Sequence, residues 1–325
     1  MIGKICGTGS YIPPKILSND DLSEMVETSD EWIRERTGVR NRHIAGEETS
    51  SFMASEAAKR AVENAGISPE EIDLILVASS SPDVIFPSVA CEVQKAIGAV
   101  HASGYDMQAA CTGFVFAYQT AQAYIEAGVY KTILLIGSEA LSTMVDWTDR
   151  GTCILFGDGA GAAILCAAEG KTYPPAAHMD GRKGEALVCR SRFSDRFLEK
   201  YQNTGKVPGD TYISMDGRGV FQFAVKSVPQ VVTEVLEKAL LTTDDIDWFI
   251  LHQANQRIVE SVAKRLKTDI ERFPMNLQEY GNTSSASIPI LLDEMNRDGR
   301  LKRGQKIIIA GFGAGLAWGA SILEW

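Results

Sequence analysis

The chain carries a diverged copy of itself. Ala58-Lys-Arg-Ala-Val-Glu-Asn-Ala-Gly-Ile-Ser-Pro-Glu-Glu-Ile-Asp73, an amphipathic helix and a turn, runs into the apolar Leu74-Ile-Leu-Val-Ala78. At an offset of 174 residues, Val232-Thr-Glu-Val-Leu-Glu-Lys-Ala-Leu-Leu-Thr-Thr-Asp-Asp-Ile-Asp247 runs into Trp248-Phe-Ile-Leu-His252. The same offset pairs Ile133-Leu-Leu-Ile-Gly137 with Ile307-Ile-Ile-Ala-Gly311, and a shorter one pairs Gly161-Ala-Ala-Ile-Leu165 with Gly319-Ala-Ser-Ile-Leu323. Self-similarity at a fixed spacing means that one supersecondary unit was built twice. Short, continuous apolar runs are strands covered on both faces. Each half therefore reads strand, helix, strand, helix, strand, strand. Such alternation predicts an α/β fold with mostly parallel sheets, right-handed crossovers and helices on the faces. We divide the chain into halves 1–172 and 173–325.

Size and composition agree with two such units. The 325 residues are 45% hydrophobic, enough for a large core. The six cysteines form no CxxC pair, which predicts reduced thiols in the cytoplasm and neither structural zinc nor another metal. No basic segment followed by an apolar one opens the chain, so no export signal is expected. Ile307 to Leu323 is uncharged for 17 residues, but its four glycines favour two buried strands joined by a turn over a membrane helix. A net charge of -10 disfavours nucleic-acid partners and anionic membranes.

One stretch is apolar or small on all sides. Met107 to Ile125 holds no charge for 19 residues, which describes a helix buried between layers. Cys111 falls at its first turn, where unpaired N–H groups and the positive helix end favour an anion, so a lowered thiol pKa is expected. The bland reading is a packing cysteine, as for the other five. The repeat argues for more by where it breaks. His252 stands opposite Ala78, Cys111 opposite Ser285, and Asn282 precedes the counterpart helix. Taken singly, His252 fits a core histidine and Asn282 a helix cap. In a pseudo-twofold fold, the two helix starts and the strand end converge at the carboxyl ends of the strands. Thiol, imidazole and carboxamide are together the parts of covalent acyl transfer.

Six segments occur in order: Thr28-Ser-Asp-Glu-Trp-Ile-Arg-Glu-Arg-Thr-Gly38, Ala109-Ala-Cys-Thr-Gly-Phe114, Phe156-Gly-Asp-Gly-Ala-Gly161, His252-Gln-Ala-Asn255, Gly281-Asn-Thr-Ser284 and Gly311-Phe-Gly-Ala-Gly315. Together they resemble the beta-ketoacyl-[acyl-carrier-protein] synthase III family, across nearly the whole chain. The resemblance implies the thiolase fold, a five-layered αβαβα duplication, and the initiating condensation of type II fatty acid synthesis. Cys111 would take an acyl group from acyl-CoA. His252 and Asn282 would bind the thioester carbonyl of malonyl-acyl carrier protein, and the product would be a 3-oxoacyl-carrier protein. Backbone N–H groups of Cys111 and Ala314 would form the oxyanion hole, although many members have glycine at position 314. Thr112 likewise replaces the usual Ala or Ser.

The resemblance further implies that Trp32 and Arg150 sandwich the CoA adenine, with Thr28 and Arg36 nearby, and that Gly217 and Asn255 line the pantetheine tunnel. Leu141, Phe156, Ile213 and Phe86 of a partner subunit would surround the acyl group, so a homodimer is expected. No tightly bound cofactor is implied, and the glycine motifs at 7–9 and 157–161 are not read as dinucleotide loops. Arg257, Lys264 and Arg265 share one helix face; they are either solvated or a rim for the acidic carrier protein. Residues 190–210 are expected to edge the acyl pocket. Alternative readings are a secondary-metabolite condensing enzyme with an unusual primer or extender, a cysteine hydrolase, and a CoA- or acyl-binding protein without turnover.

Overall fold

A computed structural model describes residues 1–190 and 211–325; the expectation for residues 190–210 lies outside them, save Arg190. The first half contributes strands β1 (Ile2–Tyr11), β2 (Leu74–Ala78), β3 (Ser103–Met107), β4 (Thr132–Ala140) and β5 (Asp158–Ala168), hydrogen-bonded in the order β1-β5-β4-β2-β3. Its helices are α1 (Asp30–Thr37), α2 (Ser50–Ala65), α3 (Val89–Ile97) and α4 (Gly113–Glu126). The second half supplies β6 (Ala176–Met179), β7 (Trp248–Leu251), β8 (Lys306–Gly313) and β9 (Ala317–Glu324), in the order β7-β8-β9-β6, with α5 (Gly217–Ala239), α6 (Gln256–Leu266) and α7 (Ser287–Arg297).

Burial explains the layering. Phe114, Val115, Tyr118 and Ile125 of α4 and Ile288, Leu291 and Met295 of α7 pack with Leu76, Ile133 and Leu165 of one sheet and Ile250, Ile307 and Leu323 of the other. The outer cores are separate: α2 and α3 cover the far face of the first sheet, and α5 and α6 that of the second. The result is αβαβα, with the uncharged helix in the middle layer, as its composition predicts.

Three expectations are corrected. The sheets are mixed: β2 runs parallel to β3 and β4, and β7 to β8, but β5 is antiparallel to β1 and β4, and β9 to β6 and β8. A hairpin at residues 314–316, not a crossover helix, joins β8 to β9, and this forces antiparallel pairing. The first half also holds one strand more than the pattern showed, because Ser103–Met107 is polar and lies at the sheet edge. Finally, not all thiols are free. Cys6 and Cys166 form a disulfide between β1 and β5, with Cα atoms 6.1 Å apart, where a bulge between Ile5 and Gly7 turns Cys6 toward its partner.

The duplication reaches down to backbone strain. Cys111 lies on a 3-10 turn, Ala110–Thr112, directly before α4, and Ser285 on the matching turn, Ser284–Ala286, before α7. The residue before each is left-handed without being glycine: Ala110 at φ 44° and Ser284 at φ 49°. Each turn packs on a glycine of the other half's central strand. A Cβ on Gly311 would lie 3.1 Å from the Cys111 carbonyl, and one on Gly137 would overlap the Ser285 carbonyl. Left-handed strain of this kind costs about 1–3 kcal/mol per residue, which only a surrounding packed core can sustain.

Candidate active site

Cys111 sits at the floor of a cavity of about 440 Å³, with His252, Asn282, Phe156, Phe312 and Gly313. It is 7% exposed, so access to it is through this cavity. His252 follows β7, its N–H bonded to the Ala310 carbonyl, which fixes it at the carboxyl end of the second sheet. Phe312 packs edge-on against the imidazole at 5.2 Å between centroids. Asn282 is pinned by its backbone between Leu155 and Gly157. Where the first half has β3, the second has a short helix, Leu277–Tyr280, ended by Gly281 at φ 66°. That local departure from the repeat delivers the carboxamide.

Ser284 binds all three groups. Its N–H donates to Asn282 Oδ1 at 2.9 Å, its carbonyl reaches the His252 ring, and its hydroxyl meets the Cys111 thiol. Asn282 Nδ2 makes no hydrogen bond among the described residues, so its two protons remain available to a ligand. Ser287 Oγ lies 2.8 Å from His252 Nδ1 and 2.9 Å from the Ser284 carbonyl. When Ser287 donates to Nδ1, Nε2 carries the ring proton and is the donor left for the cavity; when it donates to Ser284, Nδ1 carries the proton.

The expected lowering of the Cys111 pKa is reversed. Burial pushes the thiol up to about 12, against the opposing Ser284 hydrogen bond, and the Glu139 charge adds to the rise. The helix end does not outweigh complete desolvation. Burial likewise drives His252 down to about 3, so the imidazole is neutral at pH 7. With such values only about one thiol in 10⁵ is ionised at neutral pH, and the resting site is no thiolate–imidazolium pair. The thiol must lose its proton as it reacts.

Other anticipated residues divide. Gly217, Asn255, Arg36 and Arg257 line the cavity wall and mouth. Asn255, however, spends its side chain on capping α6 (Oδ1 accepting from Arg257 N–H) and on donating to the Arg36 carbonyl. Trp32, on α1, already has the Arg150 guanidinium 4.7 Å and that of Arg36 5.3 Å from its ring centroid. A flat base fits between Trp32 and Arg150 only after they part, since two stacking contacts need about 7 Å. The buried Thr28 hydroxyl has no partner among the described residues. Leu141 and Ile213 pack with Phe156 in a cluster behind the cavity wall rather than lining it. Gly313 approaches Cys111 most tightly: a Cβ there would lie 3.2 Å from Sγ, and the Ala314 N–H follows it in the chain. Phe86 is 82% exposed and lies outside its own chain's cavity. Arg257, Lys264 and Arg265 are exposed on α6, and none forms an ion pair among the described residues. Ser284, Ser287 and Phe312 escaped the sequence reading although they lie inside or beside its motifs; a serine's role as a hub has no spacing signature.

Covalent acyl transfer through a thioester uses a nucleophile, a neutral donor pair and a closed cavity of this kind, which places the molecule among the thiol-dependent condensing enzymes of the thiolase fold. Residues 105–181 match the family profile described as 3-Oxoacyl-[acyl-carrier-protein (ACP)] synthase III, and residues 236–325 that of its C terminal part. The chain is 50% identical to a beta-ketoacyl-[acyl-carrier-protein] synthase III of Clostridium acetobutylicum over 99% of this chain and 98% of that one. The crystal structure of 3-oxoacyl-[acyl-carrier-protein] synthase III from Aquifex aeolicus VF5 superposes with a TM-score of 0.92 at 43% identity, covering 99% and 100% of the two chains. A priming beta-ketosynthase from the R1128 polyketide pathway superposes at 0.93 with 35% identity, covering 99% of this chain and 96% of that one. The chain belongs to the beta-ketoacyl-[acyl-carrier-protein] synthase III family and is an acyltransferase that performs the initiating condensation of fatty acid synthesis. No helix among the described residues is long and apolar enough to cross a membrane.

Proposed function

We propose that Cys111 is the acyl-carrying nucleophile, with His252 and Asn282 the donors for the second half-reaction. The Cys111 sulfur attacks the thioester carbon of an acyl-CoA, the C–S bond to CoA breaks, and the CoA thiolate leaves. Malonyl-acyl carrier protein then enters. His252 Nε2–H and Asn282 Nδ2–H donate to its thioester carbonyl, which becomes an enolate as carbon dioxide departs. The enolate carbon attacks the acyl-cysteine, giving 3-oxoacyl-carrier protein and freeing the thiolate. Cys111 and Ala314 N–H groups serve the tetrahedral intermediates of both transfers. A neutral imidazole suits this task, because it donates without needing to lose a charge. The carrying observation is that Ser284 binds the thiol, the imidazole and the carboxamide at once.

Around this centre, we place the CoA adenine between Trp32 and Arg150, the nucleotide beside Thr28 and Arg36, and the pantetheine along Gly217 and Asn255. Leu141, Phe156 and Ile213 give the acyl pocket its apolar wall. Val84, Ile85 and Phe86 expose an apolar loop at 49%, 67% and 82%, and β3 is a sheet edge, so we assign this side to a homodimer contact that brings Phe86 to the partner's cavity. The exposed Arg257, Lys264 and Arg265 receive the acidic carrier protein. The enzyme works in the cytoplasm on these two thioester substrates without a tightly held cofactor.

The decisive experiment is incubation with acetyl-, isobutyryl- and longer acyl-CoA followed by intact-protein mass spectrometry and peptide mapping. One acyl group on Cys111, lost on addition of malonyl-carrier protein with release of a 3-oxoacyl product, is expected. No adduct with any primer, or an adduct retained in Cys111→Ala, overturns the reading.

A further inference from the structure

A second ionisable group lies beside the nucleophile. Glu139, near the end of β4, is 0% exposed, and no cation pairs with it among the described residues. Its surroundings are hydroxyls and one amide: Oε2 accepts from Ser80 N–H at 3.0 Å and from the Ser81 hydroxyl at 2.7 Å, while Oε1 lies 2.8 Å from Ser285 Oγ. An isolated buried carboxylate is costly, and hydroxyl donors offset only part of that cost. By the repeat, Glu139 stands where the second half has Gly313, and Ser285 where the first has Cys111. The charged residue is therefore a second break in symmetry at the same point in the fold.

The hydrogen bonds around Glu139 fit two protonation states. Ser285 Oγ is also 2.9 Å from the Ala78 carbonyl, and it has one proton to give. When Glu139 is ionised, Ser285 donates to Oε1. When Oε1 carries a proton, it donates to Ser285 Oγ, and Ser285 turns its own proton to Ala78. Ser81 cannot make this exchange: its oxygen accepts from Ala140 N–H at 2.8 Å, and its proton is directed to Oε2. The Ser284 hydroxyl completes the connection, since it meets both the Cys111 thiol and Glu139.

We infer that Glu139 stores the Cys111 proton while the cysteine is acylated, receiving it through the Ser284 hydroxyl. As Sγ attacks the acyl-CoA carbonyl, the thiol proton passes to Ser284 Oγ and the Ser284 proton to Glu139. CoA leaves as a thiolate and takes its proton from water. In the acyl-enzyme Glu139 is a neutral acid, so no carboxylate opposes the enolate formed when carbon dioxide departs. When the enolate carbon displaces Cys111, the proton returns by the same path to the thiolate. The cycle consumes one solvent proton, on CoA, and restores the enzyme. Burial acts in the same direction, since it raises the affinity of Glu139 for a proton. Among the groups facing Glu139 from the elements packed on it, Ser80, Ser81, Ser284 and Ser285 are neutral, and Cys111 is the ionisable one.

This inference rests on the acyl-cysteine reading, and the test separates the two. Wild-type enzyme is acylated with acyl-CoA alone, adduct formation is confirmed by mass, and infrared difference spectra are recorded. One protonated-carboxyl band gained per acyl-Cys111, absent in Glu139→Gln, is expected. An adduct without that band overturns the proton store and leaves the nucleophile standing; no adduct overturns both. The carboxamide of the Glu139→Gln variant reproduces the proton-loaded hydrogen bonds but accepts no proton. E139Q should acylate about 10²-fold more slowly at pH 7 and gain rate with pH, while its decarboxylation of malonyl-carrier protein stays within about threefold. Equal losses in both half-reactions, or an unchanged acylation profile, would reject the role. Ser284→Gly keeps the left-handed backbone and removes only the hydroxyl, so it should share the acylation defect.

Discussion

At the scale of single residues, burial outweighs every local electrostatic effect in this site. The unpaired N–H groups at a helix start favour a thiolate, yet Cys111 is held as a thiol because burial strips it of water. The same desolvation fixes His252 as a neutral ring, and its consequence is a pH-dependent stability of definite sign. Between about pH 6.5 and 3 the unfolded chain binds a proton at His252 that the folded one refuses, so stability falls as pH falls through that window, by up to about 1.4 kcal/mol per unit. Glu139, whose proton affinity is raised by burial, carries the opposite sign. Urea titrations of wild type and His252→Gln at several pH values should therefore converge toward acid, with the variant gaining relative stability; parallel curves would refute it. Trp32→Ala removes the stacking surface for adenine. Its KM for acyl-CoA should rise about tenfold with kcat nearly unchanged, the equivalent of about 1.4 kcal/mol.

At the scale of elements, the two left-handed turns are the devices that matter. Each aims a side chain, Cys111 or Ser285, across the interface at a strand of the other half, and each is tolerated because a glycine on that strand leaves room. Gly313→Ala would put a methyl 2.8 Å from the Cys111 Cβ. Acylation should fall by about 10² or more with a melting temperature little changed, whereas a large drop in melting temperature with intact acylation would contradict this placement. Gly281 ends the short helix before Asn282, and a Cβ there would sit 2.7 Å from the Leu155 carbonyl at φ 66°. Gly281→Ala should cost about 1–3 kcal/mol and slow decarboxylation more than acylation, read by assaying the two half-reactions separately. The motifs around these turns were legible in the sequence. Their strain was not, because Ala110 and Ser284 carry no mark of a positive φ.

At the scale of the whole molecule, the duplicated halves share one helical layer, and the cavity opens where their strand ends meet. Phe114, fully buried between both sheets, joins the halves; Phe114→Ala should lower unfolding free energy by about 3–5 kcal/mol in a single transition monitored by circular dichroism. The exposed Val84–Phe86 loop and the free edge of β3 both belong to the first half. Phe86→Asp should convert a dimer to a monomer in sedimentation velocity and depress activity, although Phe86 lies outside its own chain's cavity. A dimer of unchanged stability and activity would remove this face from the interface.

The sequence by itself determined the duplication, the buried middle helix, the family and the identities of Cys111, His252 and Asn282, because apolar period and side-chain chemistry are local properties that survive in one dimension. Only the tertiary structure decided the antiparallel outer strands, the Cys6–Cys166 bridge, the raised thiol and neutral imidazole, and the gathering of Ser284, Ser287, Phe312 and Glu139 around the nucleophile. Those depend on desolvation and on contacts between residues far apart in the chain, and neither is set by any segment alone.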